Sequence, residues 1–501
     1  MRSKKFYVTT PLYPADDKPH LGHACAALAA DVLARHLRAK DVPAHFQTGT
    51  CEHGAGVEAA ALRRGAAPGD WCGAVAGEFR ALWETLDVRC DRFLRTTEPA
   101  HEACVQAAFE KLLKSDDIYK GPAEGRWCPS CETFYAEADL RGGGCPVHGG
   151  PAERAGGETY FFRLSRYERP LLEHYARHPA FLAPGGPARE LREAVRAGLK
   201  DLPAARAATA WGAPLKCDPA HAPCAWFHAL LGYASGAGCH PDGPSPDPGA
   251  LWPPDVQLTG RELFRLHGAV WPAVLLALGL ELPRRVFAHG RWTLDGREMS
   301  RARGSFIKAE DVAREYGVDA LRYFLLRETP FGQDGDFSME AFRRRYNADL
   351  AGDLGHLFAR TMKMAGSYLE HRLPRRPEKS EIFTELSALT PEIHRAVEEL
   401  NFSGALELVW GAVGRLNRLV DERKPWDLAR RDPAALKAFL HELVWCLRLA
   451  AGWLDPFMPG TASKMHLELG VGAAAAGVEP QQLPPLFPRK QDDKPGHPHL
   501  N

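Results

Sequence analysis

The stretch "FYVTTPLYPADDKPHLGHACAALAADVLARHLRAK" at residues 6–40 sets the architecture of this chain. Its first part, residues 6–13, is an apolar run with β-branched residues, which predicts a buried strand. From residue 19 onward Ala, Leu and Val recur at helical spacing, which predicts a helix. A second strand pattern, "PAHFQTGT", follows at residues 43–50. Strand, helix and strand in this order indicate the start of a parallel α/β sheet.

The tetrapeptide His-Leu-Gly-His lies at the junction between the first strand and the helix. His20 and His23 are three residues apart, so they share one face at a helix N-terminus, where backbone N–H groups favour anions. Gly22 has no side chain and allows a flat ligand to approach the backbone. The pattern predicts a nucleotide site, although two surface histidines remain the alternative from these residues alone.

The bulk composition excludes several classes of protein. The chain has 501 residues, so two to four domains are expected. Its formal net charge is zero, with 25% charged residues, which argues against a protein that coats nucleic acid in general. No apolar segment of a signal peptide follows the N-terminus. The longest apolar run, residues 268–280, contains Pro272 and is too short to span a bilayer, so it predicts a buried helix. We therefore expect a cytoplasmic protein without a membrane partner.

The segment "CPSCETFYAEADLRGGGCPVHG" at residues 128–149 predicts a metal site. Two close pairs of ligand residues separated by a loop suit tetrahedral Zn²⁺, with four ligands and no open position. The ligands are Cys128, Cys131, Cys145 and His148. We expect a structural zinc knuckle, and the alternative is a chance group of reduced cysteines.

The segment "DGREMSRARG" at residues 295–304 predicts a positively charged loop flanked by glycines. It lies between a strand pattern at 284–290 and a helical pattern beginning near Lys308. Helical periodicity then continues from Met339 to about residue 469, which predicts an α-bundle. The proline-rich tail, residues 481–501, is predicted to be mostly disordered.

Several segments together resemble the methionyl-tRNA synthetase family over residues 4–470. They are "FYVTTPLY…DKPHLGHA", "TGTCEHG", "WCPSCETFY…CPVHGGPAE", "YFFRLSRY", "WFHALLGY", "RVFAHGRWTLDG", "ALRYFLLRETPFGQDGDFS", "YNADLAGDLGHLFART" and "KPWDLA". The resemblance implies an α/β fold: a Rossmann-type (HUP) class I catalytic domain with a zinc-knuckle insertion, followed by a helical anticodon-binding-type bundle. The expected boundaries are 1–115 and 226–338 for the two catalytic halves, 116–225 for the insertion with the knuckle at about 125–155, 339–480 for the bundle and 481–501 for the tail.

The resemblance also implies a reaction and its residues. An amino-acid carboxylate attacks the α-phosphorus of ATP, with Mg²⁺, and gives an aminoacyl-adenylate and pyrophosphate. The implied catalytic residues are His20, His23 and Arg301. The implied ATP contacts are Gly22, Gly260, Glu262, Arg297, Ser300 and Arg303. The implied amino-acid pocket consists of Leu12, Tyr13, Pro14, Asp16, Cys51, Trp226, His228, Tyr233 and His267, and the candidate tRNA contacts are His356, Arg360 and Trp426.

This chain departs from the family at positions that contact ligands. Cys51 replaces the aspartate that binds the substrate ammonium, and a thiol cannot replace a charge-assisted hydrogen bond. Asp16, in place of an asparagine, is a possible substitute carboxylate. Further departures are Pro14 for tyrosine, His228 for aspartate, Arg261-Glu262 for Lys-Asp, His356 for asparagine, and Glu298, Arg301 and Ala302 within the 295–304 loop.

These departures lead to three hypotheses. The first is a paralogue that activates another amino acid or uses a non-tRNA acceptor, such as an N-hydroxylated amine in hydrazine biosynthesis with a cupin partner. The second is an ordinary methionine–tRNA ligase that charges tRNA(Met). The third is a sensor of tRNA or amino acid without catalysis. A monomer is expected in each case, and a second, motif-complete methionyl-tRNA synthetase in the same genome would count against the second hypothesis.

Overall fold

The structure is a computed structural model, which describes residues 5–129, 132–146, 149–154, 156–208, 211–239, 251–299, 305–369, 379–470 and 484–490. The chain forms two compact units. The first contains residues up to 19, 41–83 and 89–290, and the second contains residues 20–40, 84–88 and 291 onward. Within the described ranges, no helix is long and apolar enough to cross a membrane.

The described ranges contain the following strands and helices. The strands are β1 (Phe6–Pro14), β2 (Ala44–Cys51), β3 (Arg92–Arg95), β4 (Ile118–Pro122), β5 (Arg126–Cys128), β6 (Thr133–Tyr135), β7 (Glu153–Arg154), β8 (Glu158–Phe162), β9 (Leu182–Ala183), β10 (Leu202–Pro203), β11 (Ala205–Ala207), β12 (His221–Pro223), β13 (Val256–Gly260), β14 (Val286–His289), β15 (Trp292–Leu294), β16 (Arg297–Glu298) and β17 (Gly335–Phe337). The α-helices are α1 (Leu21–Ala39), α2 (Ala55–Arg63), α3 (Pro68–Thr85), α4 (Pro99–Lys114), α5 (Glu168–Arg177), α6 (Gly185–Arg196), α7 (Ala225–Gly236), α8 (Trp271–Leu278), α9 (Ala309–Tyr316), α10 (Val318–Arg327), α11 (Met339–Arg345), α12 (His356–Leu369), α13 (Glu381–Ser387), α14 (Thr390–Glu398), α15 (Phe402–Arg423), α16 (Pro425–Arg431), α17 (Pro433–Leu454) and α18 (Pro459–Glu468).

The first unit is built on a parallel sheet with strand order β3-β2-β1-β13-β14-β9. The chain builds outward on one side from β1 to β3 and resumes on the other side with β13 and β14. Such a sheet binds ligands beyond the carboxyl ends of its strands, where the order reverses. The predicted Rossmann-type α/β fold is confirmed, and it places the switch point between β1 and β13.

The segment between β3 and β13 includes short antiparallel strands. Strands β4, β8 and β10 form one sheet, and β5, β6 and β7 form the knuckle sheet. Cys128 pairs with Thr133 at the end of the β5–β6 ladder, and the Cys145 N–H donates to the Gly150 carbonyl at 2.8 Å. Both cysteines are buried. Cys131 and His148 lie outside the described residues.

The second unit contains α1 and the helices from α9 onward, so the predicted α-bundle after Met339 is present. Residues 484–490, within the tail that was predicted to be mostly disordered, are among the described residues. Phe487 is buried, and the Asn347 side chain bonds both the N–H and the carbonyl of Lys490 at 3.0 Å. These contacts stabilise the segment because they bury an aromatic ring and satisfy backbone polar groups together.

Candidate active site

A cavity of about 570 Å³ lies in the first unit at the carboxyl ends of β1, β2 and β13. This is the edge of the sheet where the strand order predicts a ligand. Most of the predicted amino-acid pocket converges here, although the residues come from four separate parts of the chain. The predicted pocket residues that line the cavity are Leu12, Pro14, Asp16, Cys51, Trp226, Tyr233 and His267.

Hydrogen bonds fix the ring orientations on one wall of this cavity. The Trp226 indole N–H donates to the Pro203 carbonyl at 2.8 Å. His267 Nδ1 lies 3.0 Å from both the Leu263 carbonyl and the Thr259 hydroxyl. In the tautomer whose Nδ1–H donates to that carbonyl, Nε2 accepts from the Tyr233 hydroxyl at 2.8 Å. Burial lowers the pKa of His267 to about 4, so this imidazole is neutral at physiological pH. The wall is therefore rigid and uncharged, which suits an apolar substrate side chain.

Cys51 is a neutral group on this cavity. Burial raises the pKa of its thiol to about 12, and the nearby carboxylates of Glu132, Glu52 and Asp16 act in the same direction. A thiol in such surroundings stays protonated and is a weak hydrogen-bond donor. Position 51 consequently offers no charged anchor for a substrate ammonium group.

Two residues predicted for the pocket do not line the cavity. Tyr13 follows Leu12 on β1, and consecutive strand residues point to opposite faces, so its ring stacks on Phe79 at a centroid distance of 5.1 Å. His228 is 1% exposed and lies within a group of histidines behind the cavity. Both residues support the pocket from the core rather than contact its space.

Three imidazoles form this group, and one of them, His53, lines the cavity. The ring of His53 stacks on that of His228 at a centroid distance of 4.0 Å. His228 Nδ1 lies 3.0 Å from His101 Nε2, and His101 Nδ1 lies 2.7 Å from the Ser235 hydroxyl. Burial is the main cause that lowers the pKa of His101 to about 3 and that of His228 well below its usual value. Two of the three rings are therefore neutral, and a neutral imidazole stands where the family's aspartate would bring a charge.

Glu132 also lines the cavity, and the sequence reasoning missed it because its partners are distant in sequence. It belongs to the knuckle, and its carboxylate accepts a hydrogen bond from the Ala225 N–H at the start of α7. Its other oxygen lies 3.2 Å from Arg206 Nε, and both side chains are buried. Glu132 thus links the knuckle to the helix that carries Trp226 and Tyr233.

The two histidines of the His-Leu-Gly-His motif form a reciprocal cap at the start of α1 in the second unit. His20 Nδ1 accepts from the Gly22 N–H at 3.1 Å, and the His20 N–H donates to His23 Nδ1 at 3.1 Å. Each Nδ1 therefore acts as an acceptor, which places the ring proton of each neutral imidazole on Nε2. A Cβ at position 22 would lie 2.9 Å from His20 Cε1, so glycine is needed for this cap.

The 295–304 loop begins as a tight hairpin in the same unit. Asp295 and Gly296 both have positive φ, at 50° and 73°, and connect β15 to β16. Arg297 and Glu298 are exposed, whereas Met299 is buried, and its sulphur lies 3.7 Å from the position of a Gly22 Cβ. The hairpin thus places Met299 beside Gly22 of the histidine motif, and Glu298 is exposed. Ser300, Arg301 and Arg303 lie outside the described residues.

The remaining predicted ATP contacts and the candidate tRNA contacts lie in different parts of the structure. Gly260 ends β13, and Glu262 is exposed on the rim of the cavity. In the bundle, Arg360 bonds Asp421 at 3.0 Å and so packs α12 against α15. His356 is exposed one turn earlier, and Trp426 on α16 is 51% exposed. An exposed tryptophan offers a face on which a nucleotide base can stack.

Comparisons with known proteins agree with this geometry. The chain matches the family described as tRNA synthetases class I (M) over residues 6–156 and 145–362. It is 41% identical to a methionine–tRNA ligase of Caldanaerobacter subterraneus, covering 93% of this chain and 74% of that protein. A methionine–tRNA ligase of Fusobacterium nucleatum is 38% identical, with coverage of 93% and 75%. Methionyl-tRNA synthetase of Mycobacterium tuberculosis bound by methionyl-adenylate superposes with a TM-score of 0.90 at 34% identity, over 97% of this chain and 100% of that one.

The chain belongs to the class I methionyl-tRNA synthetase family. It is an ATP-dependent ligase of the kind that forms an aminoacyl-adenylate. The comparisons fit the hypothesis of an ordinary methionine–tRNA ligase better than that of a paralogue with altered substrates. They give no support to the hydrazine pathway or to a cupin partner.

Proposed function

We propose that this chain activates methionine with ATP and transfers it to tRNA(Met). The observation that carries the proposal is the convergence of Leu12, Trp226, Tyr233 and His267 on one cavity at the switch point of the sheet. These residues match the family's methionine pocket, and they hold a neutral, apolar wall against a thioether side chain. The domain boundaries expected from the sequence and a cytoplasmic location are part of the same proposal.

The residues of the chain contribute mainly positioning and charge neutralisation. The cavity holds the amino acid so that its carboxylate faces the α-phosphorus of ATP. His20 and His23 direct their Nε2–H groups at the α-phosphate oxygens, where negative charge accumulates as the carboxylate attacks and pyrophosphate leaves. Arg297, Ser300, Arg301 and Arg303 contact the departing phosphates with Mg²⁺, and Gly260 and Glu262 contact the nucleotide. In the bundle, His356, Arg360 and Trp426 contact the tRNA.

A panel of amino acids tested in ATP–pyrophosphate exchange measures this proposal directly. Methionine is expected to support the fastest exchange, because the apolar wall of the cavity accepts an unbranched thioether. The same protein is then expected to charge tRNA(Met), at about 1 per second or faster as is usual for enzymes of this kind. Serine and lysine serve as controls, since neither side chain matches an apolar wall.

A second candidate function is the adenylation of an amino acid other than methionine. It rests on one observation, the neutral thiol of Cys51 at the position where the family has an aspartate. Fast exchange with a different acid, and slow exchange with methionine, would establish this candidate and refute the first. Complete absence of exchange and of ATP binding would instead favour the sensor.

The knuckle is proposed to hold one Zn²⁺. Three thiols and one imidazole match the donors that Zn²⁺ prefers, and Cys128 and Cys145 are both buried. Among the described residues, no group of three or more metal-ligating side chains is assembled, since two of the four proposed ligands lie beyond them. We expect elemental analysis to find about one zinc per chain, and Cys128→Ser to lose it. Zinc-free protein with an intact fold would contradict the proposal.

A further inference from the structure

The charged groups around the cavity are not equivalent. Three carboxylates line it: Asp16, Glu132 and Glu262. Glu132 accepts a hydrogen bond from the Ala225 N–H and lies 3.2 Å from Arg206 Nε, so a cationic group is already beside it, although burial raises the pKa of this carboxyl. Glu262 follows the end of β13, where the family resemblance implies contact with the nucleotide. Asp16 differs from both because it follows the end of β1, next to the strand end that carries Cys51.

Asp16 lies directly beside Cys51. Pro14 pairs with Cys51 in the β1–β2 register, and the Ala15 N–H donates to the Cys51 carbonyl at 2.9 Å. The chain leaves the sheet at the next residue, so the Asp16 side chain stands at the strand end where position 51 faces the cavity. Both side chains line the same space.

Among the described residues, the carboxylate of Asp16 forms no ion pair within 4.0 Å, and the nearest cationic influence on it comes from Arg63, whose more distant charge lowers the pKa of Asp16 slightly against the effect of burial. It is exposed at the cavity rim. Crowding by protein atoms raises the pKa of this carboxyl, and the neighbouring Asp17 adds to the rise. An anion in this state is stabilised by a cation that arrives with the substrate.

We propose that Asp16 anchors the substrate ammonium group in this chain, in the role that an aspartate at position 51 has in the family. The negative charge has moved from one strand end to the adjacent one, and Cys51 fills the vacated position with a neutral group. The inference rests on the proposed function, since it requires an α-amino acid in the cavity. It explains how the chain can activate an amino acid although position 51 no longer carries an aspartate.

The test uses Asp16→Asn, which removes the charge at constant size. In ATP–pyrophosphate exchange, we expect KM for methionine to rise by about 10- to 100-fold, because a charge-assisted hydrogen bond is lost, while KM for ATP stays unchanged. Asp17→Asn is the matched control, since Asp17 does not line the cavity, and we expect less than a twofold change. Inhibition by the methionine analogue without an amino group is expected to be equal in wild type and Asp16→Asn.

A rescue variant separates anchoring from a structural role. Adding Cys51→Asp to Asp16→Asn returns the charge to the cavity, and we expect most of the loss in KM to be recovered. An unchanged KM in Asp16→Asn overturns the inference. If the wild-type protein activates another amino acid instead of methionine, the proposed function fails. KM for that amino acid, measured in the same variants, then tests whether Asp16 binds its ammonium group. Wild-type protein without exchange on any amino acid overturns both.

Discussion

Replacing both His20 and His23 with alanine is expected to lower the rate of adenylate formation by about a thousandfold or more. Removing a single preorganised donor to a developing oxyanion typically costs about 10²–10³ in rate, and this change removes two. ATP–pyrophosphate exchange at saturating methionine measures the effect. His174→Ala provides a control, because His174 lies on α5 and does not line the cavity.

The same histidines also cap α1, so loss of activity alone would not identify their chemical role. Asparagine separates the two functions, because its side-chain oxygen can accept the backbone N–H bonds that each Nδ1 accepts. It has no group at the distance of the imidazole Nε2–H. We expect the double asparagine variant to match wild type in thermal stability and to be as inactive as the double alanine variant. Activity close to wild type in the asparagine variant would show that the two histidines cap α1 and are not needed for catalysis.

The sequence predicted local features well where one segment determines its own structure. The histidine motif illustrates this, since the cap involves residues only two or three positions apart. The hairpin at Asp295-Gly296 is also a local feature, but the sequence reasoning predicted only a loop there, although few residue pairs accept positive φ at consecutive positions. The parallel sheet also followed from strand and helix periodicity, and its switch point then located the cavity.

The sequence predicted side-chain direction less well. The family resemblance placed Leu12 and Tyr13 together in the pocket, but β-strand alternation sends them to opposite faces. His228 was assigned to the pocket, yet it faces His101, a residue of α4 that carries no motif. The ion pair joins Glu132, which directly precedes β6, to Arg206 of β11. Such pairings depend on how distant segments pack, which one sequence does not encode in any local pattern.

The second unit contains another long-range interaction that no motif indicated. Arg322 on α10 and Asp31 on α1 are both 0% exposed, and their Nη2 and Oδ2 atoms are 2.7 Å apart. The remaining guanidinium donors bind the carbonyls of Leu86, Asp87, Pro456 and Phe457. The guanidinium thus fixes the helix that begins with His20 and His23 to the rest of its unit, so the geometry of the motif depends on a residue far from it in sequence.

Arg322→Met is expected to lower the free energy of unfolding by about 3–5 kcal/mol, because the buried Asp31 loses its contact with the guanidinium while Arg35 stays at 2.8 Å, and several carbonyls lose their donor. Urea titration followed by tryptophan fluorescence measures the change. Arg314→Met is the control: this arginine is 76% exposed and pairs with Asp311, so about 0–1 kcal/mol is expected. Adding Asp31→Leu to Arg322→Met removes the stranded charge and should recover part of the loss. A change below about 1 kcal/mol in Arg322→Met would show that water or rearranged side chains satisfy these groups, and that α1 is held in place by apolar packing alone.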